Sequence, residues 1–309
     1  MVSSTASNRN AVVRHEETPL VYIGEVIDSR FEIERIAGSG GMGTVYRAYD
    51  ILADRTVALK IMRALPYDKT QRFAREVRTV ADVRHKSIVG YVAHGKTRRG
   101  SAYLAMEWVD GEDLAARLAR GPLALIETLL VVRRIAAALH TVHAAGIVHR
   151  DIKPANIALC GGPDGGVKLL DFGVVHGGEG NDAEEATKPG AVVGTLSYMA
   201  PEQARGEEID GRADLFSLGC VLYECLTGKP VFAGTNPAQI VVQLHIGETP
   251  LPSASRVGVP AELDALVVRM LAKKPEDRPA SAHEIVMWLD ALIRDITRIG
   301  TLATLPPPP

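Results

Sequence analysis

The hydrophobic periodicity of this chain changes character once, near Asp110–Gly111, and that change commits the fold to a strand-rich unit followed by a helical one. Before it, Tyr22 to Leu65 reads as strands. FEIERIAG alternates, a glycine cluster follows, and TVYRAYD and TVALKIM are rich in β-branched and aromatic residues. Residues 68–85 set Phe73, Val77, Val80 and Ala81 at helical spacing opposite many charges. Ile88–Gly95 and Ala102–Val109 return to strand character around the polar turn KTRRGS. After the change, helical patterns run over Pro122–Ala145, with a proline near the first turn and Gly146 as the stop, then over 212–227, 237–245, 261–272 and 281–297. Two short strand-like segments, IALC and VKLLDFG, interrupt them. Strands first and helices afterwards is the order of an α+β fold. A length of 309 residues fits two such units, and no repeat of twenty to fifty residues is visible.

Charge and composition remove several functions. Thirty-five basic and 37 acidic residues leave a formal charge of −2, which argues against nucleic acid held on a general basic surface. The most apolar stretch, Leu123–Ala145, is broken by Glu127, Arg133, Arg134, His140 and His143, so no membrane insertion is expected. The polar start, MVSSTASNRNAVVRHEETP, has no signal-peptide core, and three cysteines fit a reducing compartment. A cytoplasmic location follows, or the cytoplasmic face of a membrane if a tether lies beyond residue 309. Residues 1–22 read as a disordered leader and 298–309, ending in four prolines, as a proline-rich tail or linker.

Four groups of residues carry chemistry. Gly38, Ser39, Gly40, Gly41, Met42, Gly43 and Val45 fit G-x-G-x-x-G-x-V, where missing side chains let backbone N–H groups approach phosphate. A dinucleotide fold would put a helix next; TVYRAYD is a strand, so the glycines lie in a hairpin, and a plain glycine-rich hairpin remains the bland alternative. Lys60 follows on the next strand, beside Ala58. It either packs its stem or turns inward to phosphate oxygens, with Glu76 as a carboxylate able to orient it. Taken alone, Glu76 fits a surface network with Arg72 and Arg75 better. His149-Arg150-Asp151, with Lys153 and Asn156, follows a helix stop, and Asp171-Phe172-Gly173 follows an apolar strand. Asn156 and Asp171 offer hard oxygen ligands across a short hairpin, suited to Mg²⁺. Asp151 sits where a carboxylate could accept a proton from an attacking hydroxyl.

These motifs, in this order and completed by Ala200-Pro201-Glu202, resemble the eukaryotic-like (Hanks-type) serine/threonine protein kinases, in the bacterial style given by Gly-Gly-Met-Gly and Ala-Pro-Glu-Gln. The resemblance spans Phe31–Arg294 and implies a bilobal fold: a β-rich N-lobe with one main helix at 23–110 and a mainly helical C-lobe at 111–297. It implies that Gly38, Gly40 and Gly43 cover the phosphates of ATP, Lys60 contacts the α and β phosphates, and Glu76 holds Lys60. Asp151 would deprotonate a substrate hydroxyl, Lys153 neutralise the γ-phosphoryl, and Asn156 and Asp171 bind Mg²⁺, with Mn²⁺ able to substitute. Lys153 and Gly194-Thr195 match the serine/threonine branch. Met106 resembles the gatekeeper, Glu107 to Val109 the adenine-pairing hinge, and Asp113 a ribose contact. Glu202 is expected to pair with Arg278, Asp214 to anchor the catalytic loop, and Val80, Val92, His149 and Phe172 to stack between the lobes. Cys160, Cys220 and Cys225 read as structural.

Two departures stand beside the adenine. Ala37 and Ala158 replace larger apolar residues, so a raised KM for ATP is expected unless Ile36 or Leu159 repacks. The segment 171–202 is rich in glycine and acid, and Thr187 is a candidate phosphosite whose phosphate Arg150 would meet. Implied partners are ATP and proteins offering Ser or Thr, and the resemblance admits a homodimer for autophosphorylation. The alternatives are a pseudokinase scaffold, against which Lys60, Asp151, Asn156 and Asp171 all stand, and a small-molecule phosphotransferase, which would lack the Gly-Thr to Ala-Pro-Glu platform.

Overall fold

The computed structural model describes residues 21–40, 43–63, 77, 81–161, 166–171 and 196–303, the side chains of 299–303 excepted. The strand-rich unit is one antiparallel sheet built from β1 (Val26–Ile27), β2 (Phe31–Gly40), β3 (Gly43–Asp50), β4 (Arg55–Met62), β5 (Tyr91–Lys96) and β6 (Ala102–Glu107), in the order β1-β2-β3-β4-β6-β5. Residues opposite one another in a sheet share a face. Register pairs Val45 with Lys60, Arg47 with Ala58, Ala58 with Met106 and Lys60 with Leu104, so these side chains occupy one face. The other face carries Tyr46, Ala48, Val57, Leu59 and Ala105, packed with Val21, Phe31 and Tyr103 into a closed core. The sheet therefore buries one face completely and leaves the Lys60 face half open above the second unit.

A separate three-stranded sheet, β7 (Gly111–Asp113), β8 (Ile157–Cys160) and β9 (Val167–Leu169), starts where the periodicity changes. Around it lie α1 (Leu114–Leu118), α2 (Leu125–Ala144), α3 (Pro201–Ala204), α4 (Gly211–Thr227), α5 (Pro237–Ile246), α6 (Pro252–Ser255), α7 (Ala261–Met270) and α8 (Ala282–Ala303). Helix α4 is buried on nearly every side, as a helix apolar all round must be, and it is the axis of the larger core. Cys220 and Cys225 lie inside it, where burial pushes both thiols well above their ordinary range. Among the described residues, no helix is long and apolar enough to cross a membrane.

Three local expectations differ from what is observed. Helix α2 starts at Leu125, past Pro122, because the Leu123 N–H is taken by the Cys225 carbonyl at 2.9 Å and the Leu123 carbonyl by Arg256 at 2.6 Å. Its end is as read, with Gly146 at φ +72°. Helix α8 runs to Ala303, six residues beyond the expected 297, into the stretch read as tail. Val92 does not join a column between the lobes. The β5–β6 register shifts between Tyr91 and Ala93, which turns Val92 to the outer core and leaves Tyr91 against the cluster of Met62, Val77, Ile88, Ala138 and Val142. Val80 and Phe172 lie outside the described residues.

Candidate active site

Lys60 projects from the middle of β4 on the open face, and its Nζ lies 2.9 Å from Asp171 Oδ2. Asp171 is held there by what precedes it. The Leu170 N–H donates to the Asn156 carbonyl at 2.8 Å, and Leu169 exchanges hydrogen bonds with Ser87 and Val89 of the upper unit. Asp171 itself takes φ +43°, a conformation that side chains with a Cβ adopt at a cost. Glu76, the expected partner of Lys60, lies outside the described residues, as do Gly41, Met42, Thr187 and Thr195.

Beyond the end of α2 the chain turns through His149, Arg150 and Asp151. Lys153 Nζ lies 2.9 Å from the Asp151 carboxylate. Asn156 is buried, and its Nδ2 donates at 2.8 Å both to Asp151 Oδ2 and to the Asp151 carbonyl. With the amide nitrogen committed, the Asn156 oxygen is the atom left to offer a cation, beside the oxygens of Asp171. An all-oxygen donor set of this kind fits a hard divalent ion.

The loop is suspended from Asp214 at the start of α4. One carboxylate accepts the His149 N–H, the Arg150 N–H and His143 Nε2, each at 2.8 Å. Glu202 and Arg278 form the expected pair, bidentate at 2.6 and 2.7 Å and fully buried. Sequence reading anticipated both and missed His143, noted only as a charge interrupting an apolar run. Its signal was an unexplained histidine in the last turn of a long helix.

The adenine side is framed by the same register logic. Val45, Ala58 and Met106 share the face of Lys60, and Asp113 pairs with Ala158 across β7 and β8. Asp113 also caps α1, its Oδ1 accepting the Ala116 N–H at 2.8 Å. Glu107 turns its carboxylate away to the Gly90 N–H at 3.0 Å and Lys168 Nζ at 2.9 Å. Val109 is half-buried. Ala37 is exposed, and neither expected neighbour repacks. Ile36 pairs with Tyr46 on the outer face, and Leu159 packs into the lower core. The glycines divide in function. Among the described residues, a Cβ on Gly38 or Gly40 would meet nothing within 4 Å, whereas one on Gly43 would run into the Ile61 carbonyl of β4. Ser39 Oγ lies 3.3 Å from Thr44 Oγ1 across the hairpin.

With this geometry in place, comparison with known proteins is informative. The family model "Protein kinase domain" matches residues 31–288. Serine/threonine-protein kinase PknB of Mycobacterium leprae is 40% identical over 267 residues, covering 84% of this chain and 42% of that protein. A probable serine/threonine-protein kinase of Streptomyces coelicolor is 39% identical over 287 residues, covering 90% of this chain and 42% of its own length. The chain thus spans less than half the length of these relatives. Among solved structures, the kinase domain of Mycobacterium tuberculosis PknI superposes with a TM-score of 0.70 at 29% identity, covering 88% of this chain and 98% of that one.

Proposed function

The chain belongs to the protein kinase family, with the bacterial serine/threonine kinases as its relatives, and from that premise we propose that it transfers the γ-phosphoryl group of ATP to serine and threonine hydroxyls of proteins, itself included. One observation carries this reading. The Asp151 carboxylate is steadied by Lys153 and Asn156 on a loop hung from Asp214, and the strand end bonded to the Asn156 carbonyl carries Asp171 in a pair with Lys60. Phosphoryl transfer through a loose transition state asks for positioning and charge neutralisation more than covalent chemistry, and these residues supply both.

In this reading the open faces of Gly38 and Gly40 receive the phosphates, while Gly43 serves the β3–β4 contact that shapes the hairpin. Lys60 contacts the α and β phosphates, with Glu76 as its orienting carboxylate. Asp151 accepts the proton of the attacking hydroxyl, and Lys153, already beside it, neutralises the charge on the group in flight. Asn156 and Asp171 would hold Mg²⁺, or Mn²⁺ in its place, and a bound ion would offset the negative charge of the phosphates. Adenine lies between Val45, Ala58 and Ala37 above and Ala158 below, against Met106 and the backbone of Glu107–Val109, with Asp113 at the ribose. Thr195 belongs to the substrate platform, and Thr187 is the autophosphorylation site, reached in a homodimer. A cytoplasmic setting supplies both ATP and substrates.

Radiolabelled phosphate transfer to the protein itself and to a generic protein substrate tests the assignment against Asp151→Asn. Loss of the general base is expected to lower transfer by about a hundredfold or more. Equal labelling by the two proteins overturns the assignment and leaves the small-molecule phosphotransferase or the scaffold.

A further inference from the structure

Arg150, immediately before the candidate base, has φ +68°. For a residue with a Cβ that conformation costs about 1–3 kcal/mol, so the surroundings must impose it. Two groups grip the residue from opposite ends. Its N–H donates to Asp214 Oδ1 at 2.8 Å, and its carbonyl accepts the Gln203 Nε2–H at 2.9 Å. That carbonyl belongs to the peptide bond joining Arg150 to Asp151. The Gln203 amide therefore fixes the plane of the peptide from which the Asp151 carboxylate hangs.

The chemistry of residue 203 suits this task. The acceptor is a carbonyl, so its partner must donate, and a neutral donor adds no charge next to Asp151. Gln203 is buried, so a lost bond could not be replaced freely by water. Its own position is rigid, because the adjacent Glu202 is clamped by Arg278 and Pro201 opens the short helix α3.

We propose that Gln203 is a positioning residue for phosphoryl transfer, setting the Arg150–Asp151 peptide so that Asp151 meets the substrate hydroxyl; this rests on the protein kinase reading above. Two variants of the full chain test it. Gln203→Met keeps the length and removes the donor. Gln203→Glu keeps the shape and donates only when protonated. With Mg-ATP and a generic protein substrate, Gln203→Met should lower kcat about tenfold, with KM for ATP within about twofold. Gln203→Glu should show a similar loss near about pH 8 and regain activity relative to the unaltered protein towards about pH 6, since a buried carboxyl takes up its proton early. A merely structural role would reduce the yield of folded protein without moving that pH ratio. A folded Gln203→Met with unchanged kcat, or a ratio independent of pH in Gln203→Glu, overturns the proposal.

Amide hydrogen exchange at Arg150 and Asp151 reads the same geometry without turnover. It should quicken in Gln203→Met while α4 stays protected, and unchanged exchange also overturns the proposal. If the unaltered protein transfers no phosphate yet exchange responds to Gln203→Met, the kinase reading fails, and with it the role in transfer, while the hold of Gln203 on the Arg150–Asp151 peptide is upheld.

Discussion

His149 is buried with both ring nitrogens in use. Nε2 donates to the Leu170 carbonyl at 3.1 Å, and Nδ1 accepts the Asp151 N–H at 3.3 Å. Only the neutral ring satisfies both bonds. Burial holds the imidazole below its ordinary range, against the opposing pull of Asp214 and Asp151. Above an ordinary histidine pKa of about 6.5, the folded and unfolded chains both carry a neutral ring, and His149 adds no pH dependence. Below it, the unfolded chain binds a proton that the folded one refuses. Stability is thus fully present above that value and falls as pH drops, by up to about 1.4 kcal/mol per pH unit. Urea denaturation between about pH 7.5 and 5.5 should show this slope, and His149→Phe should flatten it while lowering stability throughout. Parallel slopes for the two proteins would remove His149 as the source. At this scale the sequence reveals what chemistry repeats in a compact string: Asp151, Lys153 and Asn156 stand within six positions. The roles of His143 and Gln203 were not legible, because their partners are 71 and 53 residues away; Gln203 closes the string Ala-Pro-Glu-Gln, but nothing in that string points to the carbonyl it binds.

Between elements, the Glu202–Arg278 pair binds α3 to the turn ahead of α8. Arg278 also donates to the carbonyls of Ala272, Arg212 and Lys273, at 2.9, 3.0 and 3.2 Å, and its guanidinium lies 4.9 Å over the Phe216 ring of α4. One cation thereby satisfies three backbone carbonyls and a carboxylate. Removing only the carboxylate strands a buried charge, so Glu202→Leu should cost about 3–5 kcal/mol in urea denaturation. Adding Arg278→Met to Glu202→Leu should cost less than the sum of the single variants, because no unpaired ion remains. Strict additivity would show that the ion pair is not the source of the loss. Elements were readable where their own residues decide the burial: β3 and β4 alternate over most of their length, and α4 is apolar on nearly every side. They were misread where a partner decides. The bulge at Val92 is imposed by pairing with β6, and the start of α2 is delayed by the hydrogen bond Leu123 donates to the Cys225 carbonyl and the one it accepts from Arg256. Neither partner can be inferred from a local window.

For the molecule as a whole, the change of periodicity near Asp110 marks where one sheet ends and another begins, but not how the two units are joined. They share backbone hydrogen bonds: Val89 N–H to the Leu169 carbonyl at 3.0 Å, and Leu169 N–H to the Ser87 carbonyl at 2.9 Å. Beside these, Glu107 at the end of β6 accepts from the Gly90 N–H and from Lys168 on β9. The carboxylate thus ties the connection between the lobes to a strand of the lower sheet, one strand position before the pair Leu169 makes with the upper loop. In the kinase reading, separating the two units to release a nucleotide would strain this tie. The pair is partly exposed, so its worth is about 0.5–1 kcal/mol, which corresponds to roughly a two- to fivefold change in a rate. Lys168→Met keeps the stem packed, removes the ammonium and leaves Glu107 on Gly90 alone. Release of a fluorescent ADP analogue, followed by stopped flow, should therefore quicken by about that factor. The difference should shrink at high salt, because screening weakens the pair in the unaltered protein. Equal release rates at low salt would place the resistance to opening in the shared backbone bonds and not in the ion pair.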